Sequence, residues 1–171
     1  MLTRPTSRHF ARAIPSRYNT FMSYYNYNEF TQDVQTLARQ VAPYKPTVLL
    51  GIVRGGLALT QALSHALNIR NVQTIRTELY DADVKRDEIK IVANLDFLPS
   101  DRVLIVDDIV DSGESLQAIL EYLKSYHKDV EVRSASIFYK TSALVQADYQ
   151  LKEATDWIEF YWEKDFKVER L

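Results

Sequence analysis

Residues 103–115 constrain the fold more than any other part of the chain, and they read V-L-I-V-D-D-I-V-D-S-G-E-S. The apolar run Val103–Val106 is typical of a strand buried on both faces of a parallel sheet. An amphipathic helix is predicted after the polar loop, from the apolar residues Leu116, Ile119, Leu120 and Leu123. A helix N-terminus presents unpaired backbone N–H groups and the positive end of its dipole. The segment therefore predicts an anion site, suited to phosphate, between strand and helix.

Three aspartates crowd this anion site, although carboxylates repel phosphate: Asp107, Asp108 and Asp111. They are explained if a divalent cation or a hydroxyl-rich sugar lies between them and the anion. Hard cations take carboxylate oxygens, and ribose hydroxyls can donate to an acidic pair. The segment therefore predicts a site for a phosphorylated ribose. A simple helix cap by Asp111 or Ser112 is the alternative, but it accounts for only one of the polar residues.

The composition is that of a globular domain. The chain has 171 residues, of which 46% are hydrophobic and 26% charged, which predicts a single domain with a substantial core. It contains no cysteine, so disulfides and thiolate metal sites are excluded and an intracellular, cytoplasmic enzyme is expected. No apolar run reaches the ~20 residues of a membrane span, which leaves peripheral membrane association open.

The charge is distributed unevenly along the chain. Residues 1–28 carry four arginines and no acidic residue, which leaves 17 basic against 23 acidic residues in the remainder. A folded part that acidic is a poor non-specific binder of nucleic acid, so no nucleic-acid partner is expected. Residues 1–23 are expected to form an extension before a domain at 24–171. Within it, residues 1–21 could be a mitochondrial presequence, a disordered tail, or the result of a start assigned upstream of Met22.

The order of predicted elements indicates an α/β fold with a mainly parallel, twisted sheet flanked by helices. Apolar periodicity predicts helices over residues 29–42, 57–67 and 114–127. Strands are predicted over residues 47–53, 72–77, 89–92, 103–106, 130–139 and 149–151. In such sheets ligands bind at the carboxyl ends of the strands, where Arg54, Gly55 and Lys140 also lie. A glycine turn before a helix and a solvated lysine are the simpler interpretations of these residues.

The segment around Asp107 strongly resembles the phosphoribosyl-pyrophosphate binding motif of the type I phosphoribosyltransferases. The arrangement of R-G-G, Y-D, the aspartates, a lysine-ended strand and D-W-I is most similar to the bacterial xanthine-guanine enzymes. This resemblance covers about residues 24–163. It implies the phosphoribosyltransferase fold, with a small C-terminal hood from about residues 141–171 over the base site.

The resemblance implies an enzyme of purine salvage. It would convert guanine, xanthine or hypoxanthine and phosphoribosyl pyrophosphate to the nucleoside 5′-monophosphate and pyrophosphate, with Mg²⁺ as cofactor. Asp107 and Asp108 would hold the ribose hydroxyls, Asp108 would also contact the metal, and Asp111 would act as acid or base at purine N7. The 5′-phosphate would be bound by the loop Asp111, Ser112, Gly113, Glu114 and Ser115.

The same resemblance assigns the remaining contacts. Arg54 and Gly55 would bind pyrophosphate, joined by Arg86 or Lys85 from a mobile flap over Tyr80–Asp87. The purine would be bound by Lys140, Trp157 and Ile158. A lysine donates and cannot accept, so Lys140 suits a 6-oxo group and clashes with the 6-amino group of adenine. Trp157, Phe160, Tyr161 and Trp162 could equally be core residues.

Several alternatives stay open from the sequence. The chain could be a regulatory protein of this fold that binds nucleotides or RNA, or a transferase for a different base. The order of preference among guanine, xanthine and hypoxanthine is not determined. A homodimer or homotetramer is expected from the family.

Overall fold

This computed structural model describes residues 22–79 and 89–168. The segments 1–21 and 80–88, and with them Lys85, Arg86 and the expected flap, lie outside the described residues. The strands are β1 (Met22–Tyr25), β2 (Val48–Ile52), β3 (Val72–Leu79), β4 (Ile89–Ala93), β5 (Arg102–Val110), β6 (Glu131–Tyr139), β7 (Tyr149–Glu153) and β8 (Trp157–Phe160). The helices are α1 (Tyr27–Val41), α2 (Leu57–Ala66), α3 (Glu114–Tyr126) and α4 (Tyr161–Lys164), with a 3-10 turn at Ala42–Tyr44.

The main sheet has six strands in the order β4-β3-β2-β5-β6-β7. All neighbouring pairs are parallel except β3 and β4, which are antiparallel at one edge. The predicted α/β fold with a mainly parallel sheet is therefore confirmed. Within the described residues, no helix is both long and apolar enough to cross a bilayer.

Helices cover both faces of the sheet because its central strands are apolar on both faces. Leu49 of β2 and Leu104 of β5 pack in one core cluster with residues of α1 and α2. Leu50 and Ile105, their neighbours along the same strands, pack in a second cluster with residues of α3. This alternation follows from the two-residue period of a strand. The two core clusters hold the central strands in place, and the loops that follow these strands meet at one edge of the sheet.

Strands β1 and β8 form a second, two-stranded sheet that is not hydrogen-bonded to the main one. Strand β1 pairs with β8 in parallel, with Ser23 opposite Ile158 and Tyr25 opposite Phe160. The expected start of the domain at Tyr24 falls inside β1. The N-terminal end of the described chain thus adds a strand to the region that was assigned to the hood.

Candidate active site

The three polar segments predicted at strand ends are brought together by the strand order. Strands β2, β5 and β6 are neighbours and parallel, so their carboxyl ends lie at one edge of the sheet. The loop from Arg54 follows β2, the loop from Asp111 follows β5, and Lys140 follows β6. The backbone N–H of Lys140 donates to the carbonyl of Val110 at 2.9 Å, which joins two of these ends directly.

Asp107 and Asp108 lie within β5, whereas the sequence predicted a strand that ends before them. The strand continues because its ladder with β6 extends to Val110 opposite Tyr139. Each carboxylate accepts a backbone N–H: Asp107 from Asp108 at 3.1 Å, and Asp108 from Ile109 at 2.8 Å. The two acids are therefore fixed on a regular strand.

Burial of the acidic pair disfavours its negative charge. Asp108 is only 6% exposed. This burial, with a further contribution from the nearby Glu163 carboxylate, raises the pKa of its carboxyl group to about 6. Burial and the neighbouring charge of Asp108 raise the pKa of Asp107 well above its ordinary value. Within residues 22–79 and 89–168, no lysine or arginine forms an ion pair with either carboxylate, so a bound cation would offset their negative charge.

The donor set at the acidic pair fits a magnesium ion that is shared with a substrate. Mg²⁺ takes oxygen ligands and is usually held by one or two carboxylates, with water and substrate phosphates completing its shell. No group of three or more acidic or histidine side chains that could cage a metal occurs in the described ranges. Asp108, unlike Asp107, lines the larger cavity described below.

The loop after β2 packs so closely on the acidic strand that only glycine fits. A Cβ at Gly55 would lie 2.5 Å from Oδ2 of Asp108 and 2.6 Å from Oδ1. A Cβ at Gly56 would meet the carbonyl oxygens of Val106 and Ile52. The Val53–Arg54 peptide bond is cis, and Arg54 is exposed. The R-G-G turn thus brings the backbone of Gly55 beside Asp108, directly after the exposed Arg54.

The loop after β5 forms a small cradle at the start of α3. Its cavity has a volume of about 100 Å³ and is lined by Asp107, Ile109, Val110, Asp111, Ser112, Gly113, Ser115 and Leu116. Gly113 precedes the helix with φ of 82°, a left-handed conformation that favours glycine. Glu114 lines a separate groove between β4 and α3. The cradle therefore offers hydroxyls and N–H groups, while the Glu114 side chain points elsewhere.

A second cavity adjoins the cradle and has a volume of about 200 Å³. Its lining includes Gly55, Asp108, Ile109, Asp111, Lys140, Asp156, Trp157, Ile158, Phe160 and Glu163. Asp111 lines both cavities. Lys140 Nζ lies 2.5 Å from Asp111 Oδ1, and the two side chains are 36% and 54% exposed. An acid and a lysine are thus held as a pair at the junction of the two cavities.

The aromatic residues of the C-terminal segment separate into two groups. Trp157 is 57% exposed and faces the cavity together with half-buried Ile158. Phe160 is 4% exposed and stacks on Trp162 at a centroid distance of 4.6 Å. Phe160 and Trp162 are therefore part of the core, as the simpler interpretation held, whereas Trp157 is free to contact a ligand.

Some residues of the site were missed by sequence analysis. Glu163 lines the larger cavity, and Thr77 Oγ1 lies 3.0 Å from Ser115 Oγ of the cradle. Neither belongs to a local motif, because Thr77 reaches the cradle from β3 and Glu163 from α4. Only the tertiary arrangement identifies them.

The protein is thus an α/β protein in which two adjoining cavities lie where the polar loops after β2, β5 and β6 meet. The family model described as "Phosphoribosyl transferase domain" matches residues 22–168. The chain therefore belongs to this family, which confirms the resemblance predicted from the residues around Asp107.

Individual relatives agree with this assignment. The structure titled xanthine-guanine-hypoxanthine phosphoribosyltransferase from Helicobacter pylori is 39% identical, covers 84% of this chain and 95% of its own, and superposes with a TM-score of 0.78. The xanthine-guanine phosphoribosyltransferase of Idiomarina loihiensis is 26% identical over 81% of this chain and 84% of its own. The adenine phosphoribosyltransferase of Rhodospirillum centenum is 35% identical over 57% and 61% respectively.

Proposed function

We propose that the protein transfers the phosphoribosyl group of phosphoribosyl pyrophosphate to a 6-oxopurine in a magnesium-dependent reaction of purine salvage. The products would be the nucleoside 5′-monophosphate and pyrophosphate. The observation that carries this proposal is the Lys140–Asp111 pair, with its 2.5 Å separation, at the junction of the two cavities. N7 and the 6-oxo group of a purine lie on the same edge of the ring, so adjacent lysine and carboxylate groups can contact both at once.

The smaller cavity would bind the 5′-phosphate. Its supports are the start of α3, the left-handed Gly113 and the hydroxyls of Ser112 and Ser115. N–H groups at a helix N-terminus bind phosphate, and the helix dipole adds to the attraction. The exposed Glu114 would contribute its backbone N–H alone.

Asp107 and Asp108 would accept hydrogen bonds from the ribose hydroxyls, and Asp108 would also hold Mg²⁺. When bound, the cation would offset the negative charge on the leaving pyrophosphate. Arg54 would contact pyrophosphate oxygens through its guanidinium fork, and the backbone at Gly55 would approach them without obstruction from a side chain. Arg86 or Lys85 stays the predicted flap contact.

In the transfer step the C1–pyrophosphate bond of the sugar breaks and the bond from C1 to purine N9 forms. Positive charge would develop on the sugar, and the carboxylates of Asp107 and Asp108 would stabilise it. The purine must lose a proton as N9 becomes bonded. Asp111 would take that proton from N7, and Lys140, paired with it, would contact the 6-oxo group on the same edge of the purine.

The base would lie in the larger cavity against Trp157 and Ile158. Stacking of a base on an aromatic side chain contributes about 1–3 kcal/mol and does not depend on which purine is bound. Discrimination would instead come from Lys140, which donates to a 6-oxo group. A 6-amino group would place two donors against each other, and such an unpaired donor costs on the order of 1–3 kcal/mol.

A transferase for adenine is the second candidate, because a relative named adenine phosphoribosyltransferase is 35% identical over 57% of the chain. A regulatory nucleotide- or RNA-binding protein was the other alternative from sequence. Against a purely regulatory role, the acidic pair, the cradle and the Lys140–Asp111 pair together offer groups for the sugar, the 5′-phosphate and the base.

The test is a steady-state assay with phosphoribosyl pyrophosphate, Mg²⁺ and a panel of guanine, hypoxanthine, xanthine and adenine. The proposal predicts turnover of at least one 6-oxopurine and a kcat/KM for adenine at least about tenfold lower. Omission of Mg²⁺, with chelator present, should abolish turnover. Turnover of adenine alone would support the second candidate, and no turnover with any base would support a regulatory role.

The expected cytoplasmic location and homodimeric or homotetrameric assembly are also proposed. Light scattering of the purified full chain tests the assembly. The intact mass of the native protein tests whether residues 1–21 are retained, removed as a targeting segment, or never translated.

A further inference from the structure

A polar network of Tyr25, Asp33 and the 40% exposed Lys152 adjoins β1, the strand that pairs with β8, on which Trp157 and Ile158 lie. The hydroxyl of Tyr25 donates to Asp33 Oδ2 at 2.5 Å, and Lys152 Nζ lies 2.6 Å from the same oxygen. Tyr25 is 3% exposed and Asp33 is 8% exposed. The three residues come from β1, α1 and β7, so the network joins three separate elements. Burial and the adjacent Asp33 carboxylate raise the pKa of the Tyr25 hydroxyl, which therefore stays a donor.

The network reaches the base cavity through strand pairing. Tyr25 is the register partner of Phe160 at the end of β8, and Ser23 is the partner of Ile158. The Tyr25 ring contacts Phe160 and Phe138 edge-on, at centroid distances of 5.9 and 5.0 Å. A shift of β1 would therefore also move β8, which carries the Trp157 and Ile158 side chains that line the cavity proposed for the base.

Pairing between β1 and β8 is too short to hold β8 by itself. Each strand has four residues, and an isolated two-stranded sheet is marginally stable in water. Attachment of β1 to the main body therefore depends on side chains. A hydrogen bond from a neutral hydroxyl to a carboxylate is stronger than one between two neutral groups. Lys152 lies in β7 of the main sheet, so the network connects β1 to that sheet.

We propose that Tyr25, Asp33 and Lys152 are positioning residues that hold β1, and through it the Trp157–Ile158 surface, in the conformation that binds the purine. This rests on the function proposed above. None of the three lines either cavity. Their loss therefore affects binding of the base by lowering the fraction of molecules with β8 in place, and leaves the phosphoribosyl cradle intact.

The decisive variant is Tyr25→Phe, which removes the hydroxyl and keeps the aromatic packing. Tyr24→Phe is its matched control: the same change in the same strand, at a hydroxyl that donates to Asp165 Oδ2 at 2.7 Å on the exposed surface. If the competent fraction falls to between about one third and one tenth, apparent affinity falls about three- to tenfold. Asp33→Asn, which also weakens the contact to Lys152, should have a larger effect in the same direction.

The kinetic measurement is KM for guanine and for phosphoribosyl pyrophosphate, well below the melting temperature of each variant. Tyr25→Phe is expected to raise KM for guanine about three- to tenfold and to leave KM for the sugar within about twofold. Tyr24→Phe should leave both within about twofold. An unchanged guanine KM, an equal rise in both constants, or an equal effect of the two phenylalanine variants would overturn the proposal.

A second measurement does not depend on activity. Amide hydrogen exchange of the ligand-free protein should be about tenfold faster at residues 157–160 in Tyr25→Phe than in wild type, and unchanged in β5. Equal exchange at residues 157–160 would overturn the positioning role. If the wild type turns over no purine, the proposed function fails, and this exchange measurement still decides whether the network holds β8.

Discussion

Replacing Lys140 by methionine should erode the preference for 6-oxopurines over adenine. The substitution keeps much of the length and apolar bulk of the side chain and removes its ammonium donor. In the structure that ammonium lies 2.5 Å from Asp111 Oδ1 at the lining of the larger cavity. Because lysine can only donate, its removal takes away a favourable contact to a 6-oxo group and an unfavourable one to a 6-amino group.

The size of the effect follows from the exposure of the pair. A hydrogen bond from a charged donor contributes about 1.5–3 kcal/mol when desolvated. The Lys140 side chain is 36% exposed, so solvent screening places the loss toward the lower end of this range. About 1.4 kcal/mol corresponds to a factor of ten. The ratio of kcat/KM for guanine to that for adenine should therefore fall at least about tenfold.

The assay is the ratio of kcat/KM for the two bases, measured in parallel for wild type and variant. Loss of Lys140 also leaves Asp111 unpaired, but both bases present N7 to Asp111, so that effect cancels in the ratio. Lys164→Met is the matched control, because Lys164 pairs with Glu159 at 2.7 Å outside the cavity lining. A ratio that Lys140→Met leaves unchanged would refute the assigned role of the lysine.

Three further predictions concern the acids and the glycine turn. Asp111→Asn should lower kcat by about 10²- to 10⁴-fold while the Kd for nucleoside monophosphate, measured by calorimetry, changes little; near-wild-type turnover would remove the proton-transfer role. Burial raises the pKa of Asp108 to about 6, so its ionisation destabilises the folded protein progressively as pH rises from about 4 to 6. Asp108→Asn should therefore raise the free energy of unfolding above pH 6, by on the order of 1–3 kcal/mol, and leave it unchanged at pH 4. Denaturant titrations at the two pH values measure this difference. Gly55→Ala would place a Cβ 2.5 Å from Asp108 Oδ2 and should reduce kcat/KM as well as costing about 1–3 kcal/mol of stability; a fully active variant would contradict the close packing of this turn.

Features that depend on local pattern could be predicted from sequence. The apolar run Val103–Val106 and the stripe after Gly113 indicate a strand and a helix whatever the rest of the chain does. Alternation of such elements restricts the sheet to parallel, right-handed connections, which brings successive strand ends to one edge. The proximity of Gly55, Asp108 and Lys140, which line one cavity, follows from that restriction.

Features that depend on long-range pairing could not be predicted. Strands β1 and β8 are four residues each and lie at opposite ends of the described chain, so neither has a periodicity of its own. Strand β5 continues past Asp107 and Asp108 because its backbone pairs with β6. The hydrogen bonds of this pairing join backbone atoms, so the side-chain pattern does not show where the strand ends. The buried position of Asp33 in α1 is also not predictable from the sequence, because an acidic residue in an amphipathic helix usually faces solvent.

Calorimetric titration of phosphoribosyl pyrophosphate into the protein, with and without Mg²⁺, tests most directly whether the acidic pair and the cradle hold this sugar. The account predicts saturable heat with Mg²⁺, much weaker binding when the metal is chelated, and loss of the metal-dependent part in the Asp107→Asn, Asp108→Asn double variant. Absence of heat in the wild type, or the same metal-dependent heat in the double variant, would contradict it.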